Sequence, residues 1–304
     1  ADVVVESYKP GYLSSLGLGY EDLESINPGL VMTSITHFGQ YGPYSQYEGE
    51  EIVDYAMGAI MSISGTSDRE PLKHGGFQAQ YEAGLNAAGA TAVALLVQTN
   101  LGVGQHVDVS TVECVSSTMI GNQSMYSFTG GIQPRRKPLG TQFGQPMPCA
   151  DGWVLNQAGG GATWDDIADF YEQPVLKEHR FSNQTLRNEN GEELDTLLVD
   201  AIKDKGKWDL FAKASRMRML FGLVQTPEEL ARCPQLESRN FYRDIEHPVM
   251  GPLKVPAVLF NLSLTPYSLR HCAPTLGQHN TDVYCTEMGT SQEELARWRE
   301  AGTI

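Results

Sequence analysis

Two runs of β-branched and apolar residues, Val3-Val4-Val5 and the stretch 30–36 (LVMTSIT), constrain this chain more than any other feature. Neither run alternates apolar with polar residues, so each reads as a strand buried on both faces, the habit of parallel sheets. Between them Lys9-Pro10-Gly11 breaks the first strand, residues 16–26 read as a short helix, and Asn27-Pro28-Gly29 stops it. Strand, helix and strand within roughly 35 residues make a βαβ unit, whose crossover is expected to be right-handed.

Further along, apolar residues at Ile52, Tyr55, Ala56, Ala59, Ile60 and Ile63 predict a helix over 51–63. Residues 81–98 predict a helix dense in alanine and glycine, a composition that lets another backbone approach closely and suggests tight packing. Gly102-Val103-Gly104 then turns into a strand over 105–110, followed by a helix to about Tyr126. Composition shifts near Gly130 to Gly, Gln, Pro and cations, which reads as a linker into a second domain. That domain shows a strand at 153–156 and helices at 164–171, 190–203, 207–215 and 227–232. Thr163 and Thr226 stand at N-cap positions. A Ser291-capped helix with Glu294 at the capping-box position and Leu295 and Trp298 on one face closes the chain.

Charge and composition exclude several function classes. With 22 Lys and Arg against 37 Asp and Glu, the 304-residue chain carries a net charge of −15. That argues against nucleic acid and against an anionic membrane surface, both of which are met by clustered cations. No run of 18 apolar residues predicts a membrane span. The first residues carry no basic stretch of the signal-peptide type. Five widely spaced cysteines without a CxxC pair, and seven histidines without HExxH, argue against disulfides and metal and for a reducing cytoplasm.

Generic catalytic motifs are absent. Gly159-Gly160-Gly161 reads as a flexible turn rather than a phosphate cradle. Lys9, directly after a strand, is equally open to being a phosphate contact or a solvated loop lysine. Glu48, Glu50 and Glu51 cluster at a helix start, where the helix dipole accounts for them. His37 and His74 stand singly near loop glycines and read as structural or surface histidines. From the residues alone the chain is a two-domain α/β enzyme of open chemistry.

Longer strings take the reading further. Residues 1–11 (ADVVVESYKPG), 16–20 (LGLGY), 27–31 (NPGLV), 34–43 (SITHFGQYGP) and 102–110 (GVGQHVDVS) occur in that order. They resemble ADVLVENFRPG, SISGFGQTGP and GRGQHVDVS of the class III CoA transferases, the CaiB/BaiF family. Residues 150–154 (ADGWV), 226–229 (TPEE), 244–248 (DIEHP) and 295–304 correspond as well, so the resemblance covers essentially the whole chain.

The resemblance implies a Rossmann-like large domain over 1–130, incomplete at its N-terminus, and a linker and glycine loop over 131–149. A smaller α/β domain over 150–250 and a return segment with a C-terminal helix over 251–304 follow. Family members begin with further βαβ units before the ADVVVE strand. Without them, 3–5 and 30–35 are expected to be short of sheet neighbours and helix cover. Two subunits threaded like linked rings are also implied, as a homodimer or a heteromer. The ligands implied are coenzyme A or acyl-CoA and a small carboxylic acid, without metal. In such transferases an aspartate attacks the thioester to form a mixed anhydride, and the CoA thiolate returns to give an enzyme thioester.

Carried across residue by residue, the resemblance places Lys9 where the family has a CoA-contacting arginine. It lays Gly49, Glu50, Glu51, Ile52 and Asp54 along the CoA. Glu50 stands where racemases of the family carry a catalytic histidine, which makes that chemistry an unlikely match. Gly140, Gly144 and Gln145 belong to a loop over the site, stiffened here by Phe143. Gln80 occupies the place of the nucleophilic aspartate, and a neutral amide cannot form the anhydride. Glu82, about 200° further around a helix, is a weak substitute. The expectation is a CoA-binding subunit without its own nucleophile, paired with an aspartate-bearing subunit. The alternatives are an active transferase using Glu82 and a scaffold without CoA.

Overall fold

The computed structural model describes residues 1–135, 144–157, 161–256 and 259–304. The chain divides into two compact units, Ala1–Gln142 with His179–Thr196, and Phe143–Glu178 with Leu197–Ile304.

In the first unit, β1 (Val3–Glu6), β2 (Val31–Thr36) and β3 (Gln105–Ser110) form a parallel sheet in the order β1-β2-β3. The central strand β2 is buried almost throughout, as expected of a strand covered on both faces. Its polar residues find partners: Thr33 Oγ1 lies 2.6 Å from Thr91 Oγ1, and Ser34 Oγ lies 2.8 Å from His106 Nε2. The expectation that 30–35 lacks sheet neighbours is therefore corrected, since β2 is paired on both sides. β1 is an edge of this sheet, and its Val5 is 61% exposed.

Of the predicted helix at 16–26 only α2 (Tyr20–Ile26) forms, and a separate short helix, α1 (Tyr12–Ser15), precedes it. Between them Gly17 takes the left-handed region at φ 70°. The predicted helix at 51–63 is likewise broken. α3 (Glu51–Met57) ends at Gly58, Ala59 turns left-handed, and a 3-10 turn follows over Ile60–Ile63. Next comes α4 (Gln78–Leu101), closed by Gly102 at φ 70°. α5 (Thr111–Ser117) and α6 (Ile120–Thr129) replace the single helix expected after β3.

The packing of α4 differs from what its composition suggested. Its alanines make the close contacts: Ala83 and Ala87 pack with Val109 of β3 and Cys114 of α5, and Ala79 packs with Tyr55 and Val115. Gly84 and Gly89 have open space where a Cβ would stand. The fully buried Val115 contributes about 1.5–3 kcal/mol of apolar transfer to this layer.

The second unit holds the antiparallel sheet β4-β5-β6, made of β4 (Pro146–Cys149), β5 (Gly152–Gln157) and β6 (Leu220–Leu223). β5 alternates, with Val154 and Asn156 buried. α7 (Trp164–Tyr171) is started by a capping box between Thr163 and Asp166 and buries Ile167 and Phe170. Of the next helices, α8 (Gln184–Glu189) and the start of α9 (Gly191–Ile202) belong to the first unit. α10 (Lys207–Arg216) begins with the buried Lys207, whose Nζ donates to Glu229 Oε2 at 2.7 Å. α11 (Pro227–Ala231) has the Thr226 cap that its sequence predicted, and α12 (Pro234–Ser238) follows. β7 (Tyr242–His247) and β8 (Gly251–Pro256) form a hairpin. α13 (Gln292–Glu300) is capped by Ser291, buries Leu295, and sets Trp298 edge-on to Tyr284.

Gly140 and Phe143 of the proposed glycine loop, and Gly159 and Gly160 of the glycine turn, lie outside the described residues. Among the described residues, no helix is long and apolar enough to cross a membrane.

Candidate functional site

All three strands of the parallel sheet run the same way, so their C-terminal ends open at one edge, the place where such sheets take ligands. A cavity of about 460 Å³ lies there. Lys9 reaches it from the end of β1, His37 from the end of β2 and Thr111 from the end of β3. Gly49 and the N-terminal turns of α4, through Gln80 and Gly84, close the other side. Gly84 has no side chain and nothing within 4 Å of its missing Cβ, so the backbone of α4 is open to a ligand.

Lys9 stands at the rim. Its Nζ lies 2.7 Å from Glu48 Oε1, with both side chains exposed, and the ammonium holds the Glu48 carboxyl below its usual range. An exposed pair of this kind is worth at most about 1 kcal/mol, so an incoming phosphate competes with Glu48 at little cost.

Glu51 has a different part from the one its sequence position suggested. It is 5% exposed, and its two carboxylate oxygens accept from the backbone N–H groups of Ala79 (3.0 Å) and Gln80 (3.3 Å). These are orphan donors of the first turn of α4, so a carboxylate of the chain already fills that helix terminus. Lys73 Nζ lies 3.9 Å from Glu51 and donates to the carbonyls of His74 and Gly76, bracing the approach to α4. No ligand anion is needed at this helix end.

Asp54 is fully buried on α3, and its carboxylate oxygens lie 2.9 and 3.0 Å from His37 Nδ1. Burial pushes the Asp54 carboxyl above its ordinary value, against the pull of the hydrogen bond and charge of His37. Glu51 and Glu50 push it further up. The His37 side chain keeps 37% exposure and lines the cavity. Gly49 makes this arrangement possible, because a Cβ there would lie 2.3 Å from His37 Cγ.

The remaining residues singled out from the sequence are dispersed. Gln80 lines the cavity. Glu82 lies outside the lining, toward α3 and α5. Its Oε2 is buried without a hydrogen-bond partner, and burial raises its carboxyl, with His74 pulling the other way. Its charge in turn raises the hydroxyl of Tyr55 and the thiol of Cys114, both already raised by burial. Glu50 is exposed at the N-cap of α3, and Ile52 is 55% exposed outside the lining. Gly144 and Gln145 belong to the second unit beside β4, where Gly144 N–H donates to Asn156 O at 2.7 Å. His37, which reads from the sequence as a structural or surface histidine, lines the cavity; the family string SISGFGQTGP has glycine at its position.

The first unit is thus a parallel α/β sheet with a cavity at its C-terminal edge, a cation at the rim and an amide on the facing helix. The chain belongs to CoA-transferase family III, which it matches over residues 1–280. It is 31% identical to succinyl-CoA–D-citramalate CoA-transferase of Chloroflexus aurantiacus, over 97% of this chain and 74% of that one. It is 27% identical to succinyl-CoA:(R)-benzylsuccinate CoA-transferase subunit BbsE of Thauera aromatica, over 100% of this chain and 77% of that one. A CaiB/BaiF family protein from Brucella suis has the same mixed α/β fold, with a TM-score of 0.82 and 28% identity over 94% of this chain and 75% of that one. Among the described residues, no group of three or more His, Cys, Asp or Glu is placed to hold a metal ion.

Proposed function

We propose that this chain is a CoA-binding subunit of a class III CoA transferase that does not itself supply the nucleophile. The observation that carries the reading is Gln80. It lines the cavity at the C-terminal sheet edge, in the place where the resemblance puts the attacking aspartate. A carboxamide is no substitute for a carboxylate in forming an anhydride. A subunit with an aspartate at that place completes the enzyme, as a heteromer; BbsE, named as a subunit of a transferase, is the relative that supports this. The donor class is a succinyl-type acyl-CoA, the donor named for both relatives, and the acceptor is a small carboxylic acid. Lys9 meets a phosphate of CoA, and the open backbone at Gly84 accommodates the ligand's approach. Five free, widely spaced cysteines support a cytoplasmic setting.

Glu82 is the rival nucleophile, and its direction on α4, about 200° from Gln80, speaks against it. The test is incubation of the purified protein with succinyl-CoA, trapping with hydroxylamine, and intact-mass measurement. The expected result is an unmodified mass for this chain. A succinyl or CoA adduct on it would refute the reading. Calorimetric titration with CoA is expected to give heat, and its absence, with the partner subunit present, would point to a scaffold.

A further inference from the structure

His37 and Asp54 are a pair that the transfer reaction described above does not use. Asp54 is fully buried, and its hydrogen-bonding partner is His37. With Asp54 ionised, its oxygens only accept, so Nδ1 of the ring carries the hydrogen and Nε2 of the neutral ring keeps a free lone pair. The ring lines the cavity that Gln80 also lines, and it is fixed from behind by Gly49. A histidine oriented by a buried carboxylate and lining a ligand cavity is the arrangement of a general base.

We propose that His37, oriented by Asp54, activates a water molecule for hydrolysis of the acyl-CoA thioester bound in this cavity. The inference rests on the CoA-binding reading and adds a reaction to it. Nε2 of His37 takes a proton from water as the water oxygen bonds to the thioester carbonyl carbon. The carbon–sulfur bond then breaks, and the proton on Nε2 passes to the departing sulfur. The products are the free carboxylic acid and CoA thiol, and no oxidant or metal is required. Gln80 is suited to this role where an aspartate is not. Its amide is inert toward the thioester and offers an N–H to the oxygen on which charge develops. Asp54 is a positioning residue that keeps Nδ1–H engaged through the cycle. The charges around the pair are Glu50 and Glu51, which act on Asp54, and Glu48 with its partner Lys9 at the rim.

The experiment follows thiol release from succinyl-CoA by the purified protein, with any co-purifying partner subunit, in ¹⁸O-labelled water. The expected result is catalysed thiol release and one ¹⁸O in the succinate. His37→Gln should lower the rate by roughly 100-fold or more, the usual range for a lost general base. Asp54→Asn should lower kcat and leave KM unchanged. His37→Gly should recover activity with added imidazole, which a merely structural histidine would not allow. Retained calorimetric CoA binding shows that each variant is folded. CoA binding without thiol release, or release indifferent to His37→Gln, overturns the inference while leaving the CoA-binding reading intact. No CoA binding by the unsubstituted protein removes both.

Discussion

Gly49→Ala tests the packing behind His37 most directly. The added Cβ would lie 2.3 Å from His37 Cγ, 2.6 Å from its Cβ and 2.7 Å from its Cδ2, where ordinary contact begins at 3.4 Å. Relief requires the ring to retreat by roughly 1 Å, or the backbone of 49 to move by as much. Retreat of the ring carries Nδ1 from 2.9–3.0 Å to beyond hydrogen-bond reach of Asp54. Asp54 is fully buried, so it would be left with an unpaired carboxylate. A hydrogen bond to a charged group is worth about 1.5–3 kcal/mol, and overpacking costs about 1–3 kcal/mol. The half-open side of His37 lets water reach the ring and softens the loss, so the expected destabilisation is about 3 kcal/mol. Urea denaturation followed by fluorescence and far-UV dichroism reads it as a lower midpoint. A double-mutant cycle with His37→Gly isolates the clash, because that change removes the three atoms nearest to the new Cβ. The expected coupling is about 2 kcal/mol in favour of the double variant over additivity. Additive effects, or an unchanged midpoint in Gly49→Ala, would refute the contact.

Gln80→Asp should convert an inert position into a nucleophile, seen as a hydroxylamine-sensitive mass increase after exposure to succinyl-CoA. Continued absence of any adduct would mean that the cavity around position 80 is no longer shaped for the transfer. Lys9→Ala should weaken CoA binding about tenfold, the loss of one charge-assisted contact, with a smaller effect at high salt. It should leave the denaturation midpoint unchanged, since the Lys9–Glu48 pair is exposed. In the second unit, Glu229 is drawn down to about 2 by Lys207 and the Thr226 cap, from an ordinary 4.5. A depressed carboxyl stabilises the fold above its unfolded value and loses that contribution as acid protonates it. The denaturation midpoint should therefore fall between pH 4.5 and 2, and the slope there should flatten in Glu229→Gln.

The central strand of the first unit was legible because a strand buried on both faces is written as a near-continuous run of apolar and β-branched residues, as β2 is around Ser34. The caps at Thr163, Thr226 and Ser291 were legible for a similar reason, since each cap and the amide it binds lie three residues apart. The breaks at Gly17 and Ala59 were not. The left-handed backbone at both positions is not written in the apolar spacing around them.

The site residues divide along the same line. Glu51 looked like an ordinary first-turn acid of its own helix, yet its carboxylate serves the amides of Ala79 and Gln80, nearly thirty residues away. His37 was unremarkable beside its own neighbours in sequence and acquires a role only when α3 brings Asp54 to its ring. A resemblance ranks residues by the family's chemistry. It therefore drew attention to Gln80 and passed over His37. Both line the same cavity. Asp54 with His37 is a buried acid–base pair, and such a pair carries a desolvated carboxylate whose cost is offset only while His37 stays engaged. The proposed hydrolysis uses that engagement, since Gln80 leaves the thioester unattacked while His37, held by Asp54, directs water to it.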